Sequence, residues 1–392
     1  MSQGSALKGK NLVVCCDGTD NEFGENNTNV VRLLSLALKQ DEQQIVFYEP
    51  GLGTFPAPGA ITPLYKWVTQ KLGSAFGFGL SQNLAVCYEF LVEHYRPGDQ
   101  IYLFGFSRGA YTARALAALI HVCGLMRTKN SNLVPYAIKL FESEASKAKK
   151  KNDKVERRTG EKHRLKLSVC EEFKRVFSIT PAIHFLGVWD TVSSIGTIFD
   201  PYNLPHTRWN PSVKTVRHAI SIDEQRKFFR ANLWASSKEQ PTDVKQVWFA
   251  GVHADIGGGY AENESGLAKI TLQWMLDEAR VAGLAIDETQ LPTVFPENVN
   301  DPDLSSPDPC GKIHNELDRF FWKVMQWVPR RHWVRDEASG QFVRRWDFAI
   351  TRRPRPVPTD ADIHPTVATR LEKVPTYRPV NLPAANKAGI IP

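Results

Sequence analysis

Ser107 is the residue whose neighbours in the sequence most clearly suggest covalent chemistry. It stands in the segment Gly-Phe-Ser-Arg-Gly, between an apolar run at residues 101–104 and an alanine- and leucine-rich run at residues 110–119. The first run predicts a buried strand and the second predicts a helix. Gly-x-Ser-x-Gly between a strand and a helix is typical of a nucleophile elbow, where the glycines let both elements pass closely. We therefore predict a nucleophilic Ser107; a glycine-rich turn with an inert serine is the alternative.

A serine hydroxyl needs a base to take its proton, and that base is commonly a histidine oriented by a carboxylate. Two later apolar runs end in suitable residues, because Asp190 follows residues 183–189 and His253 follows residues 247–252. Ser, Asp, His is the chain order of α/β-hydrolases. We predict that Ser107, Asp190 and His253 form a catalytic triad. In the alternative interpretation, Asp190 only caps the segment that follows its strand.

Two further histidines are alternatives to His253 as the base. His364 lies in a C-terminal segment that could fold back over the site, and His218 lies in Val-Arg-His-Ala-Ile. His253 could also bond only within its own glycine-rich turn. Chain order and placement after a strand favour His253 over the other two.

Acyl transfer also needs hydrogen-bond donors for the negative oxygen of the tetrahedral intermediate. The backbone N–H of Arg108, directly after the serine, is the first predicted donor. The second is predicted in the loop that follows the earliest strand, from Gly18 or Thr19. Asp17 is predicted to support this loop, and a simple Asx turn closing the strand is the alternative.

The sequence predicts neither a metal nor a cofactor. Asp17, Asp20, Asp190 and Asp255 could surround a hard cation, but their spacing matches no known metal-binding loop. The three glycines at residues 257–259 lack the Gly-Lys-Ser/Thr ending of a phosphate-binding loop. Serine-based hydrolysis requires no cofactor.

Apolar runs alternate with helical patterns, which predicts an α/β fold: an α/β-hydrolase-like, mostly parallel sheet flanked by helices. We assign the catalytic domain to residues 1–290, including a helical, basic insertion at residues 130–180. Residues 291–392 are predicted to be an irregular C-terminal extension packed on the core. The insertion and residues 55–78 are predicted to form a lid or acyl pocket. Ligands of such sheets bind outside the carboxyl ends of the strands.

The composition is that of an ordinary globular protein, with 392 residues, 42% hydrophobic and 23% charged. No apolar stretch is long enough to predict a transmembrane helix. The first ten residues lack the apolar segment of a secretory signal, so we expect a cytoplasmic location, with signal-independent export also compatible. The six cysteines form no Cys-x-x-Cys pair, which favours reduced structural thiols.

The net charge of +7 is concentrated in two segments. Residues 147–166 contain ten lysines and arginines against three acidic residues, and a second basic cluster lies at residues 330–355. A solvated helix or loop is the favoured interpretation, and contact with an anionic membrane surface or an acidic partner is the alternative. Neither cluster carries a nucleic-acid-binding motif, so no nucleic-acid partner is predicted. The composition indicates no particular oligomeric state.

Five segments together resemble a family of α/β-hydrolases that includes the catalytic domain of type VI secretion phospholipase effectors and has fungal members. In chain order they are DGTDN at 17–21, GFSRGA at 105–110, GVWDTV at 187–192, HAISIDEQR at 218–226 and WFAGVHADIGGGY at 248–260. The resemblance implies ester hydrolysis, with phospholipids as substrates in the effector branch. It places the family's serine, aspartate and histidine on Ser107, Asp190 and His253.

The resulting hypothesis is a serine hydrolase that cleaves carboxylic esters, with lipid or phospholipid acyl esters as substrates. A short-chain esterase acting on non-lipid substrates is one alternative. A non-catalytic binding protein on a hydrolase scaffold is another, although the intact serine, aspartate and histidine argue against it.

Overall fold

The computed structural model describes residues 9–18, 24, 26–51, 76–152, 168–192, 195–196, 201–202, 204–235, 242–297, 301–318, 327, 330–335, 342–347 and 354–383. The catalytic segments belong to strands and helices that alternate along the chain. Their bounds, in chain order, are β1 (Asn11–Cys16), α1 (Asn29–Leu36), β2 (Gln44–Glu49), α2 (Phe76–His94), β3 (Gln100–Phe106), α3 (Ser107–Cys123), β4 (Leu125–Met126), α4 (Val134–Asn152), α5 (Val169–Phe177), β5 (Ser178–Ile179), β6 (Ile183–Trp189), β7 (Ile195–Gly196), β8 (Pro201–Tyr202), β9 (Val213–Ser221), β10 (Asp243–Phe249), α6 (His253–Gly257), α7 (Gly266–Val281), α8 (Leu291–Val294), β11 (Arg330–Arg335), β12 (Phe342–Asp347), β13 (Asp362–Ile363) and α9 (Pro365–Lys373).

Seven of these strands form one sheet in the order β13-β10-β9-β6-β3-β1-β2. Every neighbouring pair in this sheet is parallel, so all seven carboxyl ends lie along the same edge. The chain moves outward in one direction from β1 to β2 and in the other direction from β3 onward. The switch point between β1 and β3 is where sheets of this kind bind ligands. The predicted α/β-hydrolase-like fold is confirmed.

The sheet is covered by helices on both faces, and strand β1 shows why. All six of its residues are buried and all but the first, Asn11, are apolar; alternate side chains of a strand point to opposite faces. Leu12 and Val14 pack into a cluster with helices α2 to α5, whereas Val13 and Cys15 pack into a second cluster with α1 and α7. A strand buried on both faces is therefore predominantly apolar, as expected for a parallel sheet.

The segment predicted as a helical insertion contains α4 and α5. Helix α5 begins with a capping box, in which the Ser168 side chain accepts the Glu171 N–H and the Glu171 carboxylate accepts the Ser168 N–H. Residues 153–167, which hold much of the first basic cluster, lie outside the described part of the chain, as do residues 52–75 of the predicted lid. Among the helices of the described residues, none is both long and apolar enough to cross a membrane.

The C-terminal extension, which was predicted to be irregular, contains short regular elements. Strands β11 and β12 pair antiparallel, and the two-residue strand β13 adds an edge to the main sheet beside β10. Val357, Val367 and Tyr377 pack with Ile220 and Trp248 of the sheet in a third apolar cluster. Elements of two to nine residues are too short to give a clear periodic signal, and the proline content masks them further.

All six cysteines are free thiols, and five of them are buried. Cys16 at the end of β1 contacts Cys87 of α2, with the two sulfur atoms 3.9 Å apart. Cys310 is exposed. The buried thiols act as small apolar side chains of the core.

Candidate active site

Ser107 occupies a sharp turn between β3 and α3. Its φ of +58° lies in the left-handed region that residues other than glycine rarely adopt. A Cβ on Gly105 would clash with the backbone of Gly109, and a Cβ on Gly109 would clash with the carbonyl oxygens of Cys16 and Asp17. Both glycines of the motif are therefore required by close backbone approach, and the local geometry is that of the predicted elbow.

We expect Gly109→Ala to destabilise the protein by about 1–3 kcal/mol, because the added methyl group overlaps backbone atoms that cannot rotate away. Alanine is intrinsically better than glycine inside a helix by about 1 kcal/mol, and the clash must outweigh that gain. Chemical denaturation measures the difference. Gly311→Ala is the control, since its backbone needs no positive φ and its Cβ would lie 3.2 Å from the Asp308 carbonyl oxygen, a tight contact that a small shift relieves, unlike the overlap at Gly109. Equal stability of the two variants would contradict the predicted clash.

Ser107, His253 and Asp190 lie in one hydrogen-bonded chain at the carboxyl edge of the sheet. Ser107 Oγ is 2.7 Å from His253 Nε2, and His253 Nδ1 is 2.5 Å from Asp190 Oδ2. The three residues follow β3, β10 and β6, and all are buried, with Asp190 at 0% exposure. An ionised Asp190 can only accept, so Nδ1 carries the proton and Nε2 accepts from the serine hydroxyl. The structure thus brings together the three residues that the sequence singled out.

Burial and the charges around Ser107, His253 and Asp190 favour a neutral histidine beside an ionised aspartate. Burial lowers the pKa of His253, and Asp190 opposes this effect only in part. Burial by itself would raise the pKa of Asp190, but the neighbouring Arg355 and His253 outweigh it, so the pKa lies below its usual value. An imidazole that is neutral near pH 7 is able to accept a proton from Ser107.

The imidazole ring of His253 is held between two aromatic side chains. Its centroid lies 4.7 Å from the ring of Phe106 and 4.7 Å from the ring of Phe229, which meets it edge-on. The backbone N–H of His253 donates to Glu224 Oε2 at 3.2 Å, and Glu224 is itself paired with Arg226. Both charged residues lie in the segment at 218–226 that resembles the family, and this resemblance is the sequence signal that points to them.

Arg355 completes the surroundings of Asp190, and sequence reasoning missed it. Its Nη1 donates to Asp190 Oδ1 at 2.5 Å and its Nη2 donates to Asp190 Oδ2 at 2.9 Å. The Ser221 N–H also donates to Oδ1, at 3.0 Å. Arg355 belongs to the basic cluster at 330–355 that we expected to be solvated, yet it is only 5% exposed. An arginine between two prolines carries no local pattern that indicates a buried partner.

The two alternative bases have other partners. His218 is buried, accepts the Thr191 N–H on Nε2 at 3.3 Å, and has a pKa held well below its usual value by burial.

His364 caps helix α9, where its Nδ1 lies 2.8 Å from Thr366 Oγ1 and its ring stacks on Phe249. His253 is the histidine that contacts Ser107.

The loop after β1, predicted to supply the second oxyanion donor, is organised by Asp17. Its Oδ1 accepts the Gly18 N–H at 2.7 Å, and its Oδ2 accepts from Thr28 Oγ1 at 2.7 Å and from the Tyr48 hydroxyl at 3.0 Å. The support role predicted for Asp17 agrees with these bonds, whereas the Gly18 N–H is committed to Asp17 and is a poor oxyanion donor. Thr19 lies outside the described residues. Arg108 is in the first turn of α3, where backbone N–H groups point out of the helix end.

The carboxylates considered as metal ligands are bound to other groups. Asp255 accepts the Val252 N–H at 2.9 Å and pairs with His314 Nδ1 at 2.6 Å, and Asp190 binds Arg355. Asp20 lies outside the described residues. In the part of the chain that the structure describes, no group of three or more histidines, cysteines or acidic residues is placed to hold a metal ion.

Residues 10–278 match the family model described as "T6SS, Phospholipase effector Tle1-like, catalytic domain". The chain belongs to this family. Ser107, Asp190 and His253 lie within the matched residues, whereas His314 and Arg355 lie beyond them.

Three individual proteins are similar to this chain. The uncharacterized protein YEL023C of Saccharomyces cerevisiae is 35% identical over 231 residues, which are 57% of this chain and 32% of the yeast protein. A crystal structure of an uncharacterized protein from Pseudomonas aeruginosa aligns with a TM-score of 0.40 at 18% identity, covering 76% of this chain and 49% of the other. The Tle1 effector bound to the VgrG spike of the type 6 secretion system aligns with a TM-score of 0.38 at 15% identity, covering 88% of this chain and 92% of the other. The chain therefore spans about a third of the length of the curated relative.

Proposed function

We propose that this protein is a serine hydrolase that cleaves carboxylic esters of lipids through a Ser107–His253–Asp190 triad and an acyl-enzyme. The observation that carries the proposal is the hydrogen-bonded chain of these three residues at the ligand-binding edge of the sheet. The family's description as a phospholipase effector domain supports a lipid substrate, with phospholipid acyl esters as the first to test.

In the acylation step, Ser107 Oγ attacks the acyl carbon while its proton moves to His253 Nε2. Asp190 stabilises the imidazolium that forms, because its Oδ2 already accepts the Nδ1 proton. The Arg108 N–H, at the positive end of helix α3, donates to the oxyanion of the tetrahedral intermediate. His253 then protonates the leaving alcohol, and the acyl group remains bound to Ser107.

Deacylation uses the same groups with water as the nucleophile. His253, again neutral, takes a proton from water as the water oxygen attacks the acyl carbon. Collapse of the second intermediate releases the carboxylic acid and returns the proton to Ser107 Oγ. Every proton transfer occurs at His253 Nε2, so one residue acts alternately as base and acid.

We expect kcat/KM to rise with pH and to reach half of its plateau below pH 6.5. The reason is that His253 must be neutral to accept the proton, and burial lowers its pKa against the opposing charges of Asp190 and Glu224, with Arg226 acting in the same direction as burial. Initial rates on a soluble p-nitrophenyl ester between pH 4.5 and 9 give the midpoint.

His364→Asn is the control for this pH profile. Asparagine keeps the capping function at the start of α9, so the fold is retained while the alternative base is removed. The variant should reproduce the wild-type midpoint. A midpoint above pH 7 in the wild type, or a shifted midpoint in His364→Asn, would argue against His253 as the base.

The acyl group can be identified with one set of substrates. Phosphatidylglycerol and phosphatidylcholine vesicles, long-chain p-nitrophenyl esters and p-nitrophenyl butyrate are compared, with released fatty acids measured by mass spectrometry and the acyl-enzyme by intact mass. Release of long acyl chains supports the lipid proposal, and turnover confined to butyrate favours a short-chain esterase. Faster hydrolysis of the anionic vesicles would support membrane contact through the basic segment at 147–166.

A further inference from the structure

The C-terminal extension lies beyond the family's catalytic domain, yet its Arg355 contributes a buried guanidinium to the site. We propose that Arg355 is a positioning residue, which holds Asp190 and the backbone of Phe229 in place so that His253 faces Ser107. The inference rests on the proposed hydrolase function and assigns to that function a residue from outside residues 10–278.

Arg355 binds Asp190 as a two-pronged fork. Each of its Nη atoms donates to a different carboxylate oxygen, at 2.5 and 2.9 Å, and such bidentate pairs restrict orientation as well as adding energy. With the Ser221 backbone N–H on Oδ1 and the His253 ring Nδ1–H on Oδ2, the Asp190 carboxylate accepts four hydrogen bonds. Because donors bind both oxygens, the carboxylate is restricted in rotation while Oδ2 bonds His253 Nδ1.

The same guanidinium holds the backbone beside the His253 ring. Arg355 Nε donates to the carbonyl oxygen of Phe229 at 2.7 Å, and Nη2 also contacts that oxygen. The Phe229 ring in turn lies against His253 with centroids 4.7 Å apart. Arg355 thus connects two neighbours of the imidazole, one that orients its Nδ1 and one that packs on its face.

Arg355 is itself anchored to the sheet. Asn381 Nδ2 donates to the carbonyl oxygen of Arg355 at 2.9 Å and to that of Ile222 at 2.8 Å. Val357, two residues further on, packs in the apolar cluster with Trp248 and Val367. The guanidinium is consequently placed by the core and not by a surface loop.

A buried carboxylate needs such a partner. Without a compensating cation, a fully buried aspartate takes up a proton at a higher pH, and a protonated Asp190 no longer stabilises imidazolium. The added proton can instead bind His253. In that case Asp190 stays ionised, and without the opposing charge of Arg355 it favours the protonated imidazole more strongly. Both effects move the protonation of the Asp190–His253 pair to higher pH.

Arg355 also acts on other charged groups near the pair. Glu224 and Arg226 face His253, while His218 faces Asp190. Burial and then Arg226 are the larger influences on the pKa of Glu224, and burial is the larger influence on that of His218, but the charge of Arg355 lowers both pKa values further. Because Arg355→Lys keeps a positive charge, its comparison with Arg355→Met separates the loss of charge from the loss of the two-pronged bond.

The test compares Arg355→Met, Arg355→Lys and Arg370→Met with the wild-type chain. Arg370 is the matched control because it lies in the same extension and is equally buried, at 5% exposure, but donates to the carbonyl oxygens of Pro309 and Gly311. Two quantities are measured: the protonation of His253 by NMR without substrate, and kcat/KM against pH per folded molecule.

We expect Arg355→Met to shift the protonation of the Asp190–His253 pair, observed at the His253 ring, and the acid limb of kcat/KM to higher pH, and to lower plateau kcat/KM by about 10²-fold, the size expected from misplacing a catalytic group. Arg355→Lys retains the charge and should restore most of the wild-type midpoint but not the full rate. Arg370→Met should keep both midpoints.

Unchanged His253 titration and kcat/KM in Arg355→Met would overturn the inference, as would a loss of activity equal at every pH and matched by Arg370→Met. The proposed function fails by a different result, namely ester turnover that does not depend on Ser107. The NMR titration decides the role of Arg355 in either case, since it needs no substrate.

Discussion

Ser107→Ala is expected to lower kcat for ester hydrolysis by about 10⁶-fold, the size of effect seen when the nucleophile of a serine hydrolase is removed. The variant has no oxygen to attack the acyl carbon, and binding and oxyanion stabilisation alone support only residual turnover. Alanine fits the space of serine, so the loss should occur without unfolding. The measurements are single-turnover hydrolysis of a long-chain ester and covalent labelling with a fluorophosphonate probe.

Ser143→Ala is the control for the nucleophile. This serine also uses its hydroxyl in one hydrogen bond, donating to the Leu140 carbonyl oxygen at 2.7 Å within α4. We expect it to keep wild-type turnover and probe labelling. If Ser107→Ala hydrolysed esters at the wild-type rate, or if the probe labelled a different residue, the proposed mechanism would be wrong.

Asp190→Asn is expected to lower kcat by about 10⁴-fold. An asparagine amide can donate to His253 Nδ1, which would place the ring proton on Nε2 and remove the acceptor that Ser107 needs. The substitution also leaves Arg355 without its buried counter-charge, so we expect a loss of about 3–5 kcal/mol in unfolding free energy. The kinetic effect is measured as kcat per folded molecule, and the change in unfolding free energy is measured by urea denaturation.

Asp223→Asn separates the special role of Asp190 from the general effect of losing an acidic group near the sheet edge. Asp223 accepts the Gly251 N–H at 2.7 Å and the Tyr377 hydroxyl at 3.0 Å, and both donors can still be served by an amide oxygen. Its kcat should stay close to that of the wild type. A loss as large as that of Asp190→Asn would show that the experiment measures a general disturbance of this edge.

Much of the site could be predicted because its signals are local. The elbow at Ser107 is defined by five consecutive residues whose glycines are needed for backbone contact. Asp190 and His253 each follow an apolar strand, and parallel strands bring their carboxyl ends to one edge. The alternation of strands and helices predicted the sheet for the same reason, since periodicity over each element depends only on which of its faces are buried.

Other features depend on contacts between distant parts of the chain. Three histidines satisfied the requirement for a base, and the contact between His253 and Ser107 joins residues 146 positions apart. The Gly18 N–H satisfies the sequence requirement for an oxyanion donor, but in the folded protein it is bound to Asp17. Glu224 and Arg226 lie in a matching segment, but their effect on His253 depends on how the β9 end approaches α6.

The fold class, the elbow, Ser107 and Asp190 each follow from the pattern of a short segment, and the same kind of pattern only favoured His253 among three candidate bases. The tertiary structure alone decided which histidine meets the serine and that Arg355 binds Asp190 across 165 positions. An arginine in a proline-rich segment has the same local pattern whether it is solvated or buried. The difference lies in the path of the C-terminal extension, which is set by apolar packing against β9 and β10.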